Sequence, residues 1–171
     1  MRLVMVGDGP ELAEAKALAT ALGVGEAIHW AGRQSEVAPF YRQAHLLVQP
    51  SQSEACPLTV LEAYACGTPV VGTRVGGMTE LLGCGAGLAV PLGSIDGLAD
   101  ALQAVLGDQV RWQAMQAQGV QAVHRCWTPE RIVAAYCRAY EVITAGTDSD
   151  AGLPNQTGAG RNLSGVSAMN E

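Results

Sequence analysis

An α/β fold, built on a parallel sheet with helices on both faces, is predicted by three features of the 171-residue sequence. Short aliphatic runs alternate with helix-length amphipathic stretches from residue 2 to residue 106. The runs are continuously apolar rather than alternating, which is the pattern of strands buried on both sides. Each is followed by a Gly or Pro turn, the punctuation expected between a strand and its crossover. Together these features describe a Rossmann-like sheet.

The predicted strands are residues 2–7 (RLVMVG), 27–31 (AIHWA), 45–49 (HLLVQ), 68–73 (TPVVGT) and 87–90 (GLAV). A helix over 11–22 carries Leu12, Ala15, Leu18, Ala19 and Leu22 at helical spacing. Further helices are predicted over 35–44, 58–66 and 78–82. Ser94 then caps a helix whose Ile95, Leu98, Leu102, Val105 and Leu106 form one apolar stripe. From residue 109 the pattern is all helical, with one helix to about 126 and a second opened by Thr128-Pro129-Glu130. That last helix carries Ile132, Val133, Tyr136, Tyr140 and Ile143. From Gly146 the composition shifts to Gly, Ser, Asn and Thr, too poor in large apolar residues to order itself. The expected division is a folded domain over 1–145 and a disordered tail over 146–171. The sequon-like triplets at Asn155 and Asn162 fall in that tail and read as chance.

Bulk properties exclude several classes. A net charge of −6 and a pI near 5.0 leave no basic patch for nucleic acid. No window approaches the roughly 18 apolar residues of a membrane span. The start, MRLVMVGDGP, has too short an apolar run for a secretory leader, so a cytoplasmic location is expected. The five cysteines form no CxxC and are expected to be buried and reduced. No cluster of metal-ligand residues stands out, and no metal is expected. His29, His45 and His124 read as structural, and Trp30, Trp112 and Trp127 as packing. Asp96 and Asp100 look like first-turn helix acids.

The chemistry is concentrated in residues 50–82, PSQSEACPLTVLEAYACGTPVVGTRVGGMTELL. A strand ends at Gln49, a polar loop carries Ser51, Ser53 and Glu54, and Pro57 opens a helix containing Glu62. Ligands of open α/β sheets bind just beyond the carboxyl ends of strands, where this loop belongs. With Pro57 taken as the first helical position, Glu62 lies about a turn and a half in. The free N–H groups of Leu58 and Thr59 lie between the two acids. A helix end suits phosphate, and unpaired carboxylates suit sugar hydroxyls. The pattern fits a ligand with a charged middle and polyol ends. Two acids alone would equally be a loop acid and a solvated helix face.

The same segment resembles the signature of family 4 glycosyltransferases, retaining enzymes of the GT-B fold. VGDGP at 6–10, HLLVQPS at 45–51, GLAVP at 87–91 and Trp127-Thr128-Pro129-Glu130 agree in order, so the resemblance spans about residues 2–140. It implies that Glu54 is the catalytic or sugar-contacting acid and that Glu62 accepts the ribose hydroxyls. It implies a diphosphate cradle at Cys56, Leu58 and Thr59, with Pro57 where many members carry Gly. Gly7 and Gly9 match a turn passing close to the nucleotide, Arg33 follows the strand that meets the base, and Glu80 matches an acid near the donor. First-turn dipole compensation is the plainer reading of Glu80, and surface charge that of Arg74.

The implied activity is hexosyl transfer from a nucleotide-diphosphate sugar to an acceptor, without a metal. The resemblance is to the C-terminal, donor-binding half only. The acceptor-binding N-terminal half is expected to be absent, together with the first strand of this half and its diphosphate-neutralising cations. A fragment inactive alone is therefore expected, with any peripheral membrane association left to the full enzyme. A non-catalytic nucleotide-binding module, or a degenerate remnant of such an enzyme, is the alternative. A dinucleotide-dependent oxidoreductase is disfavoured, because VGDGPELAE lacks the third glycine of GxGxxG.

Overall fold

A computed structural model describes residues 1–144. The predicted tail and its two sequons lie outside the described residues. The chain divides into two compact units, Met1–Arg125 and Cys126–Glu171, a boundary that falls inside the predicted 1–145 domain.

In the first unit the order is β1 (Leu3–Val6), α1 (Leu12–Ala21), β2 (Ile28–Gly32), α2 (Ala38–Gln43), β3 (Leu47–Gln49), α3 (Leu58–Ala65), β4 (Val70–Thr73), α4 (Met78–Leu82), β5 (Gly87–Val90) and α5 (Ile95–Leu106). A 3₁₀ turn over Gly25–Ala27 precedes β2, and α6 (Gln109–Cys126) runs to the boundary. The second unit is described through α7 (Pro129–Thr144), which starts at Pro129 as its sequence predicts.

The fold class is the predicted one, α/β with every strand pairing parallel. The strands make two sheets instead of one, with order β1-β2 and order β3-β4-β5. Leu3 lies opposite Ile28, and the register slips between Met5 and Val6. Leu47 lies opposite Val70, which in turn faces Gly87.

The core belongs to the second sheet. β4 is wholly buried, and Val71, Val90, Val105 and Met115 form a cluster that Leu46, Leu98 and Trp112 close over. Trp112 also donates its indole N–H to the carbonyl of His45 at 2.6 Å, fixing α6 against the approach to β3. Tyr64 is fully buried and donates its hydroxyl to the carbonyl of Leu81 at 3.3 Å. Burial, and then the neighbouring Cys84 thiol, push the Tyr64 hydroxyl far above its ordinary pKa, so it remains a donor. Gly87 has to be glycine for this packing: a Cβ there would lie 2.6 Å from that hydroxyl oxygen.

Two expectations are corrected here. The aliphatic run of β1 predicts a strand covered on both faces, yet all four of its residues are exposed. No cysteine is buried either: Cys56 and Cys137 are exposed and Cys66, Cys84 and Cys126 half-buried, all as free thiols. Cys56, Cys66 and Cys84 fall in loops and at a helix end, where one side of the residue faces solvent, which an apolar neighbourhood in sequence does not reveal.

The cap of α5 is as expected, with the Ser94 hydroxyl oxygen accepting from the N–H of Gly97 at 3.2 Å. Ser94→Ala is expected to cost about 1 kcal/mol of stability. A thermal melt compared with the unaltered chain checks it.

Candidate functional site

The loop between β3 and α3 is held by its own side chains. The Gln49 amide donates to the Ser51 hydroxyl oxygen and to Glu54 Oε1, both at 3.0 Å, and the Ser51 hydroxyl donates to the same Oε1 at 2.7 Å. Thr59, in the first turn of α3, reaches Gln49 Oε1 at 3.4 Å. Thr73, at the end of β4, closes a short hydrogen bond to the Ser51 carbonyl. Glu54 thus has one oxygen fixed by two donors, while Oε2 has no partner among the described residues.

The glycine pair after β4 presses on this loop from the other side. Gly77 donates its N–H to the Glu54 carbonyl at 3.0 Å. A Cβ on Gly76 would sit 2.1 Å from that carbonyl oxygen, and one on Gly77 would sit 1.8 Å from the Ala55 carbonyl oxygen. Gly76 also has φ +42, a conformation suited to glycine. These glycines therefore shape the loop that carries Glu54.

Pro57 is the N-cap of α3, with φ −71 and ψ 110, rather than its first helical residue. Its fixed φ is compatible with either position. Its missing N–H removes nothing from the helix end, because the N–H groups of Leu58 and Thr59 are the first of the turn and lack intrahelical acceptors by geometry. The N–H of Val60 already bonds back to the Pro57 carbonyl at 3.2 Å. Cys56 is exposed just outside the cap.

Glu62 is exposed on α3, and its Oε2 accepts the Tyr41 hydroxyl at 3.1 Å. Tyr41 comes from α2, and its own carbonyl accepts the Thr68 hydroxyl at 2.7 Å. Burial, with Glu62 beside it, raises the Tyr41 pKa far above the usual range, so the hydroxyl remains protonated and donates. The other oxygen, Oε1 of Glu62, has no partner among the described residues.

Gly7, Asp8, Gly9 and Arg33 gather at the carboxyl ends of β1 and β2, lining an open cavity of about 600 Å³. Gly7 has φ +136 and donates to the Gly32 carbonyl at 2.8 Å. Gly9 gives its N–H to Asp8 Oδ1 at 2.8 Å, so that donor is already used. None of Glu54, Cys56, Leu58, Thr59 or Glu62 lines this cavity. The predicted residues thus fall into two groups, each at strand carboxyl ends, one on each sheet. Glu80 is exposed in the first turn of the short α4, whose N-cap Gly77 bonds the Glu54 carbonyl, and it does not line the cavity. Arg74 is exposed and reaches the Ala89 carbonyl at 3.5 Å. Among the described residues no three His, Cys, Asp or Glu side chains are grouped to hold a metal, and no helix is long and apolar enough to cross a membrane.

Sequence reasoning missed Tyr41, Gln49 and Thr73. The local partners of Glu54 were open to inspection, since Gln49 and Ser51 stand within five residues of it. Tyr41 is 21 residues from Glu62 on a separate helix, and no spacing rule connects them.

The family model for glycosyl transferases group 1 matches residues 1–122. The chain belongs to this family. Among its curated relatives in the group, N-acetyl-alpha-D-glucosaminyl L-malate synthase of Bacillus anthracis is 33% identical over 140 residues, covering 81% of the chain and 37% of that protein. D-inositol 3-phosphate glycosyltransferase of Kribbella flavida is 38% identical over 146 residues, covering 81% and 34%. The chain therefore spans about a third of the length of these relatives. Of solved structures, sucrose-phosphate synthase from Thermosynechococcus elongatus superposes with TM-score 0.75 at 28% identity, covering 84% of this chain and 39% of that one. Anabaena Alr3699/HepE in complex with UDP gives TM-score 0.72 at 22% identity, covering 85% and 41%, a likeness of fold. The fold is that of GT-B glycosyltransferases.

Proposed function

We infer that this chain is the donor-binding half of a retaining, family 4 type glycosyltransferase that moves a hexosyl group from a nucleotide-diphosphate sugar. The observation that carries the reading is the pair of half-occupied carboxylates around the N-terminus of α3. Glu54 and Glu62 each have one oxygen held by the protein and one without a partner. A diphosphate on the Leu58 and Thr59 N–H groups would sit in the positive field of the helix end. Glu62 would accept from the ribose hydroxyls, with Tyr41 holding its orientation. Glu54 would accept from the donor sugar, where a fixed carboxylate stabilises positive charge as the glycosidic bond loosens. The Gly7–Arg33 cavity would take the base, with Cys56 at the rim of the phosphate cradle. No metal is assigned a part.

The acceptor would be held elsewhere, by an N-terminal half, so this chain alone is expected to transfer no sugar. The proposed setting is the cytoplasm. That the solved Anabaena relative holds UDP, and in another complex UDP-glucose, supports the ligand class.

Calorimetric titration of the full chain with UDP, GDP and ADP tests the reading. Saturable binding of one of them is expected. A folded chain that binds none contradicts it. Tyr41→Phe removes the donor that orients Glu62, so affinity should fall about fivefold, with any loss of stability in a thermal melt no larger than about 1 kcal/mol.

A further inference from the structure

Glu54 lies on the loop between β3 and α3, outside any helix or strand, so whatever holds its side chain sets the direction of its carboxylate. The two donors on its Oε1 are the Ser51 hydroxyl at 2.7 Å and the Gln49 amide at 3.0 Å. Ser51 belongs to the same loop. Gln49 is the last residue of β3, with its Cα opposite Gly72 on the wholly buried β4. The two main chains are closely packed there, since a Cβ on Gly72 would lie 3.0 Å from the Gln49 carbonyl oxygen. Of the two donors, only Gln49 is anchored in the sheet. A side chain rooted in a strand keeps its place better than one rooted in a loop.

The Gln49 amide also decides where the Ser51 proton goes. Its Nε2 donates to the Ser51 oxygen at 3.0 Å, which leaves the Ser51 hydroxyl to aim its own proton at Glu54. The amide carbonyl, Oε1 of Gln49, accepts from the Thr59 hydroxyl at 3.4 Å and so fixes which end of the amide faces the carboxylate. Gln49, Ser51, Glu54 and Thr59 are all half-buried, where such a network is stronger than in open water. Glutamine suits this position by its chemistry. Glutamate would bring no N–H, lysine no acceptor, and asparagine a side chain one carbon shorter.

Two donors fill the lone-pair positions of Glu54 Oε1 and leave Oε2 without a partner among the described residues. We propose that Gln49 is a positioning residue of the donor site: from the end of β3 it holds Glu54, directly and through Ser51, so that Oε2 alone meets the hexose. Gln49 itself touches no ligand and acts only through the carboxylate it holds. This role rests on the donor-site reading, in which Glu54 accepts from the sugar. It concerns the sugar and not the nucleotide, which gives the two ligands UDP and UDP-glucose different parts in its test.

The experiment is calorimetry of the full chain with UDP and with UDP-glucose. The chain is used unaltered and as Gln49→Met, Glu54→Gln and the double variant. Methionine keeps the length of the side chain and removes its hydrogen bonds. Gln49→Met should cut the additional affinity of UDP-glucose over UDP by about fivefold or more, and change the affinity for UDP by less than about twofold. Adding Gln49→Met to Glu54→Gln should cost nothing further, because the two residues act as one unit. Equal weakening toward both ligands would make Gln49 a merely structural residue and overturn the proposal. A gain for UDP-glucose that survives Gln49→Met would overturn it too, as would losses that multiply in the double variant. In each of these cases the unaltered chain still prefers UDP-glucose, so the donor-site reading stands. An unaltered chain with no such preference overturns the sugar contact and this role together. If Gln49→Met does not fold, Gln49→Glu combined with Glu54→Gln keeps an amide–carboxylate pair with its ends exchanged. That variant should fold and bind UDP without the gain for UDP-glucose; a restored gain would overturn the proposal.

Discussion

Gly77→Ala is expected to lower the melting temperature by roughly 10 °C, or to prevent folding of the first unit. The backbone of Gly77 is ordinary, with φ −67, so the penalty is one of contact and not of conformation. An added Cβ would lie 1.8 Å from the Ala55 carbonyl oxygen and 2.9 Å from its carbon, both main-chain atoms without rotamers to yield. Relief requires the loop carrying Glu54 to move, which also breaks the 3.0 Å bond from Gly77 to the Glu54 carbonyl. Overpacking and loss of a half-buried hydrogen bond together come to about 3 kcal/mol. Gly9→Ala is the control. A Cβ at Gly9 meets nothing within 4 Å, so its effect on stability should stay within about 0.5 kcal/mol. Thermal melts of the two variants beside the unaltered chain decide it; equal melting temperatures would remove the glycine pair from the account of the site.

Glu62→Ala should weaken nucleotide binding by tenfold or more, the loss of hydrogen bonds to a charged group. Its exposure on α3 means the fold should tolerate the change. Glu54→Gln separates the two carboxylates. If Glu54 meets the sugar, the variant binds UDP as before and loses only the additional affinity of UDP-glucose over UDP. Calorimetry of both ligands with both variants gives the pattern directly. A Glu54→Gln variant weakened equally toward UDP and UDP-glucose would move Glu54 from the sugar to the nucleotide.

Around the second sheet, three elements were legible in the sequence to the residue. α4, β5 and α5 begin and end where the Gly, Pro and Ser signals place them, because those signals act locally on the backbone. β2, β3, β4 and α2 are shifted or shortened at their ends, where a polar turn residue and a strand end have the same signature. For the same reason Pro57 falls one position earlier than expected. The exposure of β1 was beyond a local reading, since its aliphatic run states only what the strand needs and not whether a neighbour provides it. In the site, the two acids and the helix end were legible as a motif. What orients Glu62 is Tyr41, brought in by the packing of α2 on α3, and only the folded chain makes that pair.

The central claim is that a nucleotide diphosphate lies on the N-terminus of α3 between two carboxylates, and proton–nitrogen correlation NMR of the full chain titrated with UDP tests it most directly. The account predicts that the Leu58 and Thr59 amides shift most, with Gly7 and the surroundings of Glu62 following at the same midpoint. Saturable shifts confined to other parts of the chain, with Leu58 and Thr59 unmoved, would contradict it.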